Sequence, residues 1–105
     1  MNTKQFDVYR NPDLNSAKSH PYLIVLQVNA LHELNTRVVA PLVAPKSIPL
    51  FDRLMPVVTV EGTAFVIDPT NIAAVHVRTL KEPVINLEAE RYRILAAIDL
   101  VFVGI

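Results

Sequence analysis

The side chains that could carry out chemistry in this chain are few and widely spaced. Its three histidines, His20, His32 and His76, are too far apart in sequence for the short-spaced ligand motifs of metal sites. The chain has no cysteine, which excludes thiolate nucleophiles, disulfides and zinc-knuckle ligand sets. We therefore expect neither a metal site nor a cysteine-based catalytic centre.

Acidic and basic residues near the C-terminus form a dense charged group. Glu88 and Glu90, together with Arg91 and Arg93, could act as an acid pair with phosphate-binding arginines. Their spacing is explained more simply by i, i+3 ion pairs on the exposed face of a helix. The serines lack the flanking glycines of a nucleophile elbow, and two glycines in all are too few for a phosphate-binding loop. The sequence thus favours a binding protein over an enzyme, and we expect no catalytic residues and no cofactor.

Composition narrows the class of partner. Ten basic residues balance ten acidic ones, so the long-range attraction that nucleic-acid binders and anionic-membrane binders use is missing. A length of 105 residues with 51% apolar content suits one domain with a single core. The first residues lack the apolar run of a signal peptide, and no apolar run is long enough to span a membrane. We expect a soluble, cytoplasmic protein without membrane contact.

Short apolar runs, separated by eight prolines, predict a mainly β protein. Strands are expected at 5–10, 22–29 and 37–42. The second of these is apolar on both faces, as in a central strand, whereas Pro41 places the third at a sheet edge or a strand end. A Glu-Gly pair at 61–62 lies between two β-like runs and predicts a tight hairpin.

The remaining segments predict one helix and further strands. Residues 43–54 are expected to be irregular with one helical turn, and 69–83 to supply a turn and one or two strands. From Asn86 the apolar spacing changes to that of a helix, predicted at 87–101 with Asn86 as N-cap. Apolar residues on both faces of 22–29 and along this helix exceed what one small barrel covers, which predicts a two-fold homodimer.

The segments PYLIVLQVN…NTRVVAPL, MPVVTVEGTAFVIDPTNIAAVHV and AAIDLVFVGI occur in this order and span most of the chain. Together they resemble the CcdB toxins of bacterial toxin–antitoxin modules. The resemblance implies an SH3-like barrel with an antiparallel sheet, a small second sheet and one C-terminal α-helix, assembled as a homodimer.

The same resemblance implies a function. CcdB toxins poison DNA gyrase by binding the dimerisation region of the gyrase A subunit, and a cognate antitoxin of the CcdA type neutralises them. Contact with DNA is then expected only through the antitoxin. The residues implied in gyrase binding are Leu31, Asp99, Phe102, Val103, Gly104 and Ile105. Acidic residues of the antitoxin are expected to meet Arg10, Lys46 and Arg53.

The C-terminal segment departs from the family pattern at one position. The family has a tryptophan before the final Gly-Ile, and Val103 stands there in this chain. A valine has no π face, so a cation–π contact of about 0.5–2 kcal/mol is lost. Phe102 could supply an aromatic anchor in its place, but its position on the last helical turn predicts a core residue.

Two other functions fit the same resemblance. Related toxins of the Kid and MazF type cleave RNA, which requires a basic groove with a general base and acid. Arg37, Arg53, His32 and His76 are the candidate parts in this chain, although the zero net charge argues against this chemistry. The third candidate is a relic that has lost its toxicity and still binds the antitoxin.

Overall fold

Seven β-strands and one α-helix form the part of the chain that the computed structural model describes, residues 3–47 and 54–104. The helix, α1, is Arg91–Phe102. The strands are β1 (Asp7–Arg10), β2 (Tyr22–Val25), β3 (Thr36–Val43), β4 (Val57–Val60), β5 (Thr63–Ile67), β6 (Ala73–His76) and β7 (Pro83–Asn86). Every strand pair is antiparallel. The predicted mainly β fold with one C-terminal helix is confirmed.

The strands belong to one curled sheet, half of a barrel, in the order β4-β5-β3-β2-β1-β7, with β6 also paired to β3. Strand β3 is the longest, with eight residues. One of its edges pairs with β2, and the other pairs first with β6 and then with β5. The small second sheet that we expected is therefore not separate in the described residues, because β3 joins the β4–β5 hairpin to the rest.

The prediction that Pro41 marks a sheet edge or a strand end is wrong. Pro41 lies inside β3 and is in register with Leu23 of β2. On the opposite edge, the pairing with β6 ends at Val39 and the pairing with β5 begins at Leu42. The carbonyl of Pro41 points into this gap, where it accepts a hydrogen bond from the backbone N–H of Asp68 at 3.0 Å. A proline fits because this edge has no strand that requires its missing N–H.

The predicted hairpin is confirmed. Strands β4 and β5 pair from Val57–Val66 to Val60–Thr63, and Glu61 and Gly62 form the turn. Both turn residues have positive φ, 50° for Glu61 and 80° for Gly62. This is the left-handed conformation that a tight hairpin with the usual strand twist requires at both positions.

Three predicted elements are shorter in the structure. Strand β2, predicted at 22–29, ends at Val25, and beyond it the backbone N–H of Val38 donates to the side-chain Oε1 of Gln27 at 3.2 Å in place of a strand carbonyl. Strand β1 begins only at Asp7, because Phe6 has a φ of 70° and leaves the extended conformation.

Helix α1 begins at Arg91 and is preceded by a 3₁₀ turn, Glu88–Glu90. The prediction that Asn86 is the helix N-cap is wrong, because Asn86 ends β7 and Glu90 is the residue before α1. The Asn86 Oδ1 instead accepts a hydrogen bond from the N–H of Glu88, in the 3₁₀ turn, at 2.8 Å.

The predicted i, i+3 ion pairs are present at the start of α1. The guanidinium of Arg91 lies 3.7 Å from the carboxylate of Glu88, and Arg93 is paired with Glu90. Of the described residues, none belongs to a helix long and apolar enough to cross a membrane.

Both faces of the sheet are covered within a single chain. Helix α1 contributes Ile94 to the core on one face, together with Val8, Ile24 and Leu42 of the sheet. The opposite face buries a second cluster, Tyr9, Leu23, Val25, Val39 and Leu80. Strand β2 is central, as predicted, but its apolar residues need no second copy to cover them. That part of the reasoning for a homodimer is wrong.

A buried carboxylate joins β1 to β7. Asp7 accepts hydrogen bonds from the backbone N–H of Lys4 and from Asn86 Nδ2, both at 2.9 Å, and from the Tyr9 hydroxyl at 3.3 Å. Burial of the phenol and the adjacent Asp7 raise the pKa of Tyr9 from 10.0 to about 12. The folded protein therefore keeps Tyr9 protonated over a pH range in which the unfolded protein has lost the proton.

We predict that Tyr9→Phe removes part of the loss of stability at alkaline pH. Between the unfolded and folded pKa values of Tyr9, wild-type unfolding releases a proton, so the free energy of unfolding falls as pH rises. Phenylalanine cannot titrate. Urea unfolding of both proteins from about pH 9 to about pH 11 measures the difference. The wild type should lose stability relative to the variant above about pH 10, and a constant difference would contradict the prediction.

Candidate functional site

The end of α1 presents the residues that the sequence marked as the target contact. The backbone N–H of Val103 donates to the Asp99 carbonyl at 2.8 Å, and that of Gly104 donates to the Leu100 carbonyl at 3.0 Å. Gly104 has a φ of 78°, the left-handed conformation typical of the residue after a helix. The glycine therefore turns the chain out of the helix. Ile105 lies outside the described residues.

Phe102 is exposed, so the prediction that it is a core residue is wrong. Its exposed fraction is 70%, and that of Val103 is 76%. The buried residues of the helix are Ile94 and Ala97, and Ile98, one turn before Phe102, is only partly buried. Cover from the core thus ends before the last turn of α1. Two large apolar side chains are left next to each other at the helix end.

A stripe on the outer face of α1 continues this exposed end. We call it the helix stripe, and its residues are Tyr92, Ala96, Asp99 and Val103, all exposed. Tyr92 has an exposed fraction of 84%, unusual for a large aromatic side chain. The spacing i, i+4, i+7, i+11 places these residues on one side of a helix. Sequence reasoning missed the stripe, although the helix positions that lie outside the apolar core pattern could have indicated it.

Leu31 lies on a different element, the 3₁₀ turn Asn29–Leu31 between β2 and β3. It is exposed, as are Val28 and Leu34 in the same connection. An exposed apolar loop of this kind is typical of a contact surface. Residues 28–34 are here called the β2–β3 loop.

A buried arginine fixes the β2–β3 loop. Arg37 is only 3% exposed. Its Nε donates to Thr3 Oγ1 at 2.6 Å, and its two terminal nitrogens donate to the backbone carbonyls of Leu34 at 2.5 Å, Thr36 at 2.9 Å and His32 at 2.9 Å. Sequence reasoning did not find this role, because three of the four partners are backbone carbonyls, which leave no trace in residue type.

The parts proposed for RNA cleavage are arranged differently from a catalytic groove. The guanidinium of Arg37 is occupied by the carbonyls of the chain itself. His32 and His76 are exposed, and each uses Nδ1 locally: His32 lies 3.2 Å from the Asn29 carbonyl, and His76 accepts from the Arg78 N–H at 3.1 Å. Arg53 lies outside the described residues. Throughout 3–47 and 54–104, no group of three or more potential ligands is placed to hold a metal ion.

Of the residues predicted to meet the antitoxin, Arg10 and Lys46 are described and exposed. Lys46 lies in the 3₁₀ turn Pro45–Ser47 after β3. Arg10, at the end of β1, is paired with Glu61 of the hairpin turn at 3.2 Å. Tyr22 donates its hydroxyl to the same carboxylate oxygen at 2.7 Å. The hydrogen bond from Tyr22 and the charge of Arg10 lower the pKa of Glu61.

A cleft of about 510 Å³ lies beside Arg10. We call it the Arg10 cleft, and it is lined by Arg10, Asn11, Pro12, Thr79, Lys81 and Glu82. Two cations and one carboxylate give its lining a net positive formal charge. This surface and the end of α1 are formed by different elements.

A curled antiparallel half-barrel, closed by a C-terminal helix with an exposed apolar end, defines a small β-sheet protein with contact surfaces outside its core. The sequence model of the family described as CcdB protein matches residues 5–104. The chain belongs to the CcdB family, and it is a toxin of a toxin–antitoxin system with a cognate antitoxin as its partner.

A solved structure described as an endoribonuclease in complex with its cognate antitoxin, from Mycobacterial species, is similar in fold. Its TM-score to this chain is 0.75 at 15% sequence identity, and the alignment covers 93% of this chain and 92% of that chain. At this identity the two proteins share the fold, and the likeness does not carry an activity across. A comparison with proteins of curated function finds no match.

We predict that Arg37→Met destabilises the protein by about 2–4 kcal/mol, because four hydrogen bonds from a buried charged donor are lost and three partly buried carbonyls lose their partner. Hydrogen exchange should rise first in the β2–β3 loop. The matched control is Arg78→Met, a change at an exposed arginine. Denaturant unfolding measures both variants, and equal stability of the two would contradict the role given to Arg37.

Proposed function

We propose that this CcdB-family toxin poisons DNA gyrase without chemistry of its own, by presenting the C-terminal end of α1 to the dimerisation region of the gyrase A subunit. The observation that carries the proposal is the exposure of Phe102 and Val103 beside the left-handed Gly104. The target is the one implied by the family resemblance.

Exposed large apolar side chains at a chain end have no role in folding. Burying a phenylalanine side chain stabilises the buried state by about 1.5–3 kcal/mol. A protein that leaves this side chain exposed gains that free energy only when a partner covers it. Phe102 is the aromatic residue at this end, one position before the family tryptophan that Val103 replaces. It supplies the large, rigid anchor typical of binding hot spots.

Asp99 of α1 and Leu31 of the β2–β3 loop extend the proposed contact. Asp99 adds an exposed carboxylate one turn before Val103, where it can pair with a basic residue of the target. Leu31 adds an apolar contact from a loop that Arg37 holds in place. Polar groups around an apolar anchor are the usual arrangement in protein interfaces.

The absence of enzymatic activity is part of the proposal. Support comes from Arg37, whose guanidinium is buried and hydrogen-bonded to the chain's own carbonyls. An arginine in this state cannot clamp a phosphate without losing the β2–β3 loop. The fold likeness to an endoribonuclease keeps RNA cleavage as the competing function, and a direct assay separates the two.

The antitoxin is proposed to neutralise the toxin with a disordered, acidic segment that folds on binding. Arg10 and Lys46 are exposed and suitable for contact with its carboxylates, and Arg10 lies in a cleft of net positive charge. Arg53 is a third proposed contact. DNA would be contacted through the antitoxin.

We predict that deleting residues 103–105 abolishes gyrase poisoning and leaves the melting temperature unchanged, because Val103 and Gly104 are exposed and belong to none of the core clusters. Phe102→Ala should weaken poisoning about tenfold or more, because the complex loses an aromatic anchor that the target covers.

Val103→Trp should strengthen binding to gyrase by about 0.5–2 kcal/mol where the target offers an arginine, since a tryptophan ring can make a cation–π contact. Supercoiling by purified gyrase and thermal melts measure these effects.

The matched control is Tyr92→Ala, which removes an equally exposed aromatic side chain from the other end of α1. Digestion of a test RNA runs beside the gyrase assay. Cleavage of the RNA by wild-type protein would support the nuclease instead, and a wild type inactive in both assays would identify the relic. A truncated protein that loses activity because it unfolds would contradict the role of the tail.

We also predict a two-fold homodimer. Exposed apolar residues Val28 and Leu34 of the β2–β3 loop, together with Val38 at the start of β3, supply surface for self-association. Sedimentation at micromolar concentration should give twice the mass of one chain. Charged substitution of Leu34 should shift the protein toward the monomer, and a wild-type monomer would contradict the assembly.

A further inference from the structure

We propose that Glu61 is a built-in competitor of the antitoxin: it occupies the Arg10 guanidinium in the free toxin, and a carboxylate of the antitoxin replaces it on binding. The inference rests on the proposed role of an acidic antitoxin segment. It adds a residue that regulates the affinity of that contact, and the residue belongs to the toxin itself.

The position of Glu61 is fixed by the hairpin. Glu61 occupies the first turn position with a φ of 50°, so its side chain leaves a tight β-turn of defined geometry. Its Oε1 accepts hydrogen bonds from the Tyr22 hydroxyl at 2.7 Å and from Arg10 Nη1 at 3.2 Å. Tyr22 is held in turn by an edge-on contact with Phe65 at 5.2 Å between ring centroids. The carboxylate is thus aimed at Arg10 by a rigid support.

Arg10 remains accessible while it is paired. Its side chain is 64% exposed, and its guanidinium lies 5.9 Å from the centre of the Tyr22 ring. Within the described residues, the guanidinium makes one hydrogen bond to protein, through Nη1, and Arg10 also lines the cleft that contains Lys81. A carboxylate of the antitoxin can therefore approach Arg10 before Glu61 leaves, since a guanidinium has five N–H groups, and the exchange needs no unpaired intermediate.

The chemistry of the Arg10 cleft selects an acidic occupant. A carboxylate bound between Arg10 and Lys81 would meet two cations, whereas Glu61 meets one. Glu82 is the acidic residue that lines the cleft, and it leaves the net charge positive. An exposed ion pair such as Arg10–Glu61 is weak, so a partner carboxylate can displace it. Competition from Glu61 then lowers the affinity of the toxin for its antitoxin by a limited amount, so the toxin–antitoxin complex stays reversible.

The test measures binding of the purified antitoxin encoded beside this toxin's gene to wild-type toxin and to variants. Glu61→Gln should bind about two to five times more tightly, because the internal competitor is removed. Tyr22→Phe, which keeps the ring and frees the carboxylate, should also tighten binding. Arg10→Gln should weaken binding and should cancel the gain from Glu61→Gln in the double variant. The measurement is calorimetry at low and moderate salt.

Glu88→Gln is the matched control, because it removes the same charge from another exposed ion pair, Arg91–Glu88, away from the hairpin. Its affinity should equal that of the wild type. Unchanged or weaker binding by both Glu61→Gln and Tyr22→Phe would overturn the inference, as would a gain that persists without Arg10. No binding by the wild type would instead overturn the antitoxin partnership on which the inference rests.

Discussion

Strand β3 is the constraint on which the rest of the structure depends. Its eight residues pair with β2 along one edge and divide the other edge between β6 and β5. Backbone groups at a sheet edge must be paired or solvated, and the gap at Pro41 meets this requirement with one hydrogen bond from Asp68. One edge of β3 can therefore pair first with β6 and then with β5 while the sheet stays continuous. The β4–β5 hairpin thus becomes part of the same half-barrel.

The curled sheet determines what is left for binding. Because both faces of β2 and β3 are covered within the chain, the core needs no partner, and the exposed apolar side chains lie at its margins. Helix α1 runs beyond the last core contact and exposes Phe102 and Val103. A binding site placed there can vary in sequence at little cost in stability, since few packing contacts depend on it. Replacement of a tryptophan by valine at 103 is a change of this kind.

Polar side chains position the surfaces that the core does not reach. Arg37 holds the β2–β3 loop by hydrogen bonds to its carbonyls, and Glu61 holds Arg10 at the rim of a positively charged cleft. The first is buried and costly to disturb, whereas the second is exposed and easily exchanged. This difference suits a loop that keeps its shape and agrees with the proposal that Arg10 exchanges Glu61 for a carboxylate of the antitoxin.

The sequence by itself determined the local elements and the family. The Glu61-Gly62 turn, the i, i+3 pairs of Glu88 and Glu90 and the central β2 follow from short-range preferences that need no knowledge of the fold. The tertiary structure alone decided the place of Pro41, the exposure of Phe102 and the burial of Arg37. Each depends on what lies across the sheet or beyond the helix end, and such long-range neighbours are not encoded in the spacing of adjacent residues.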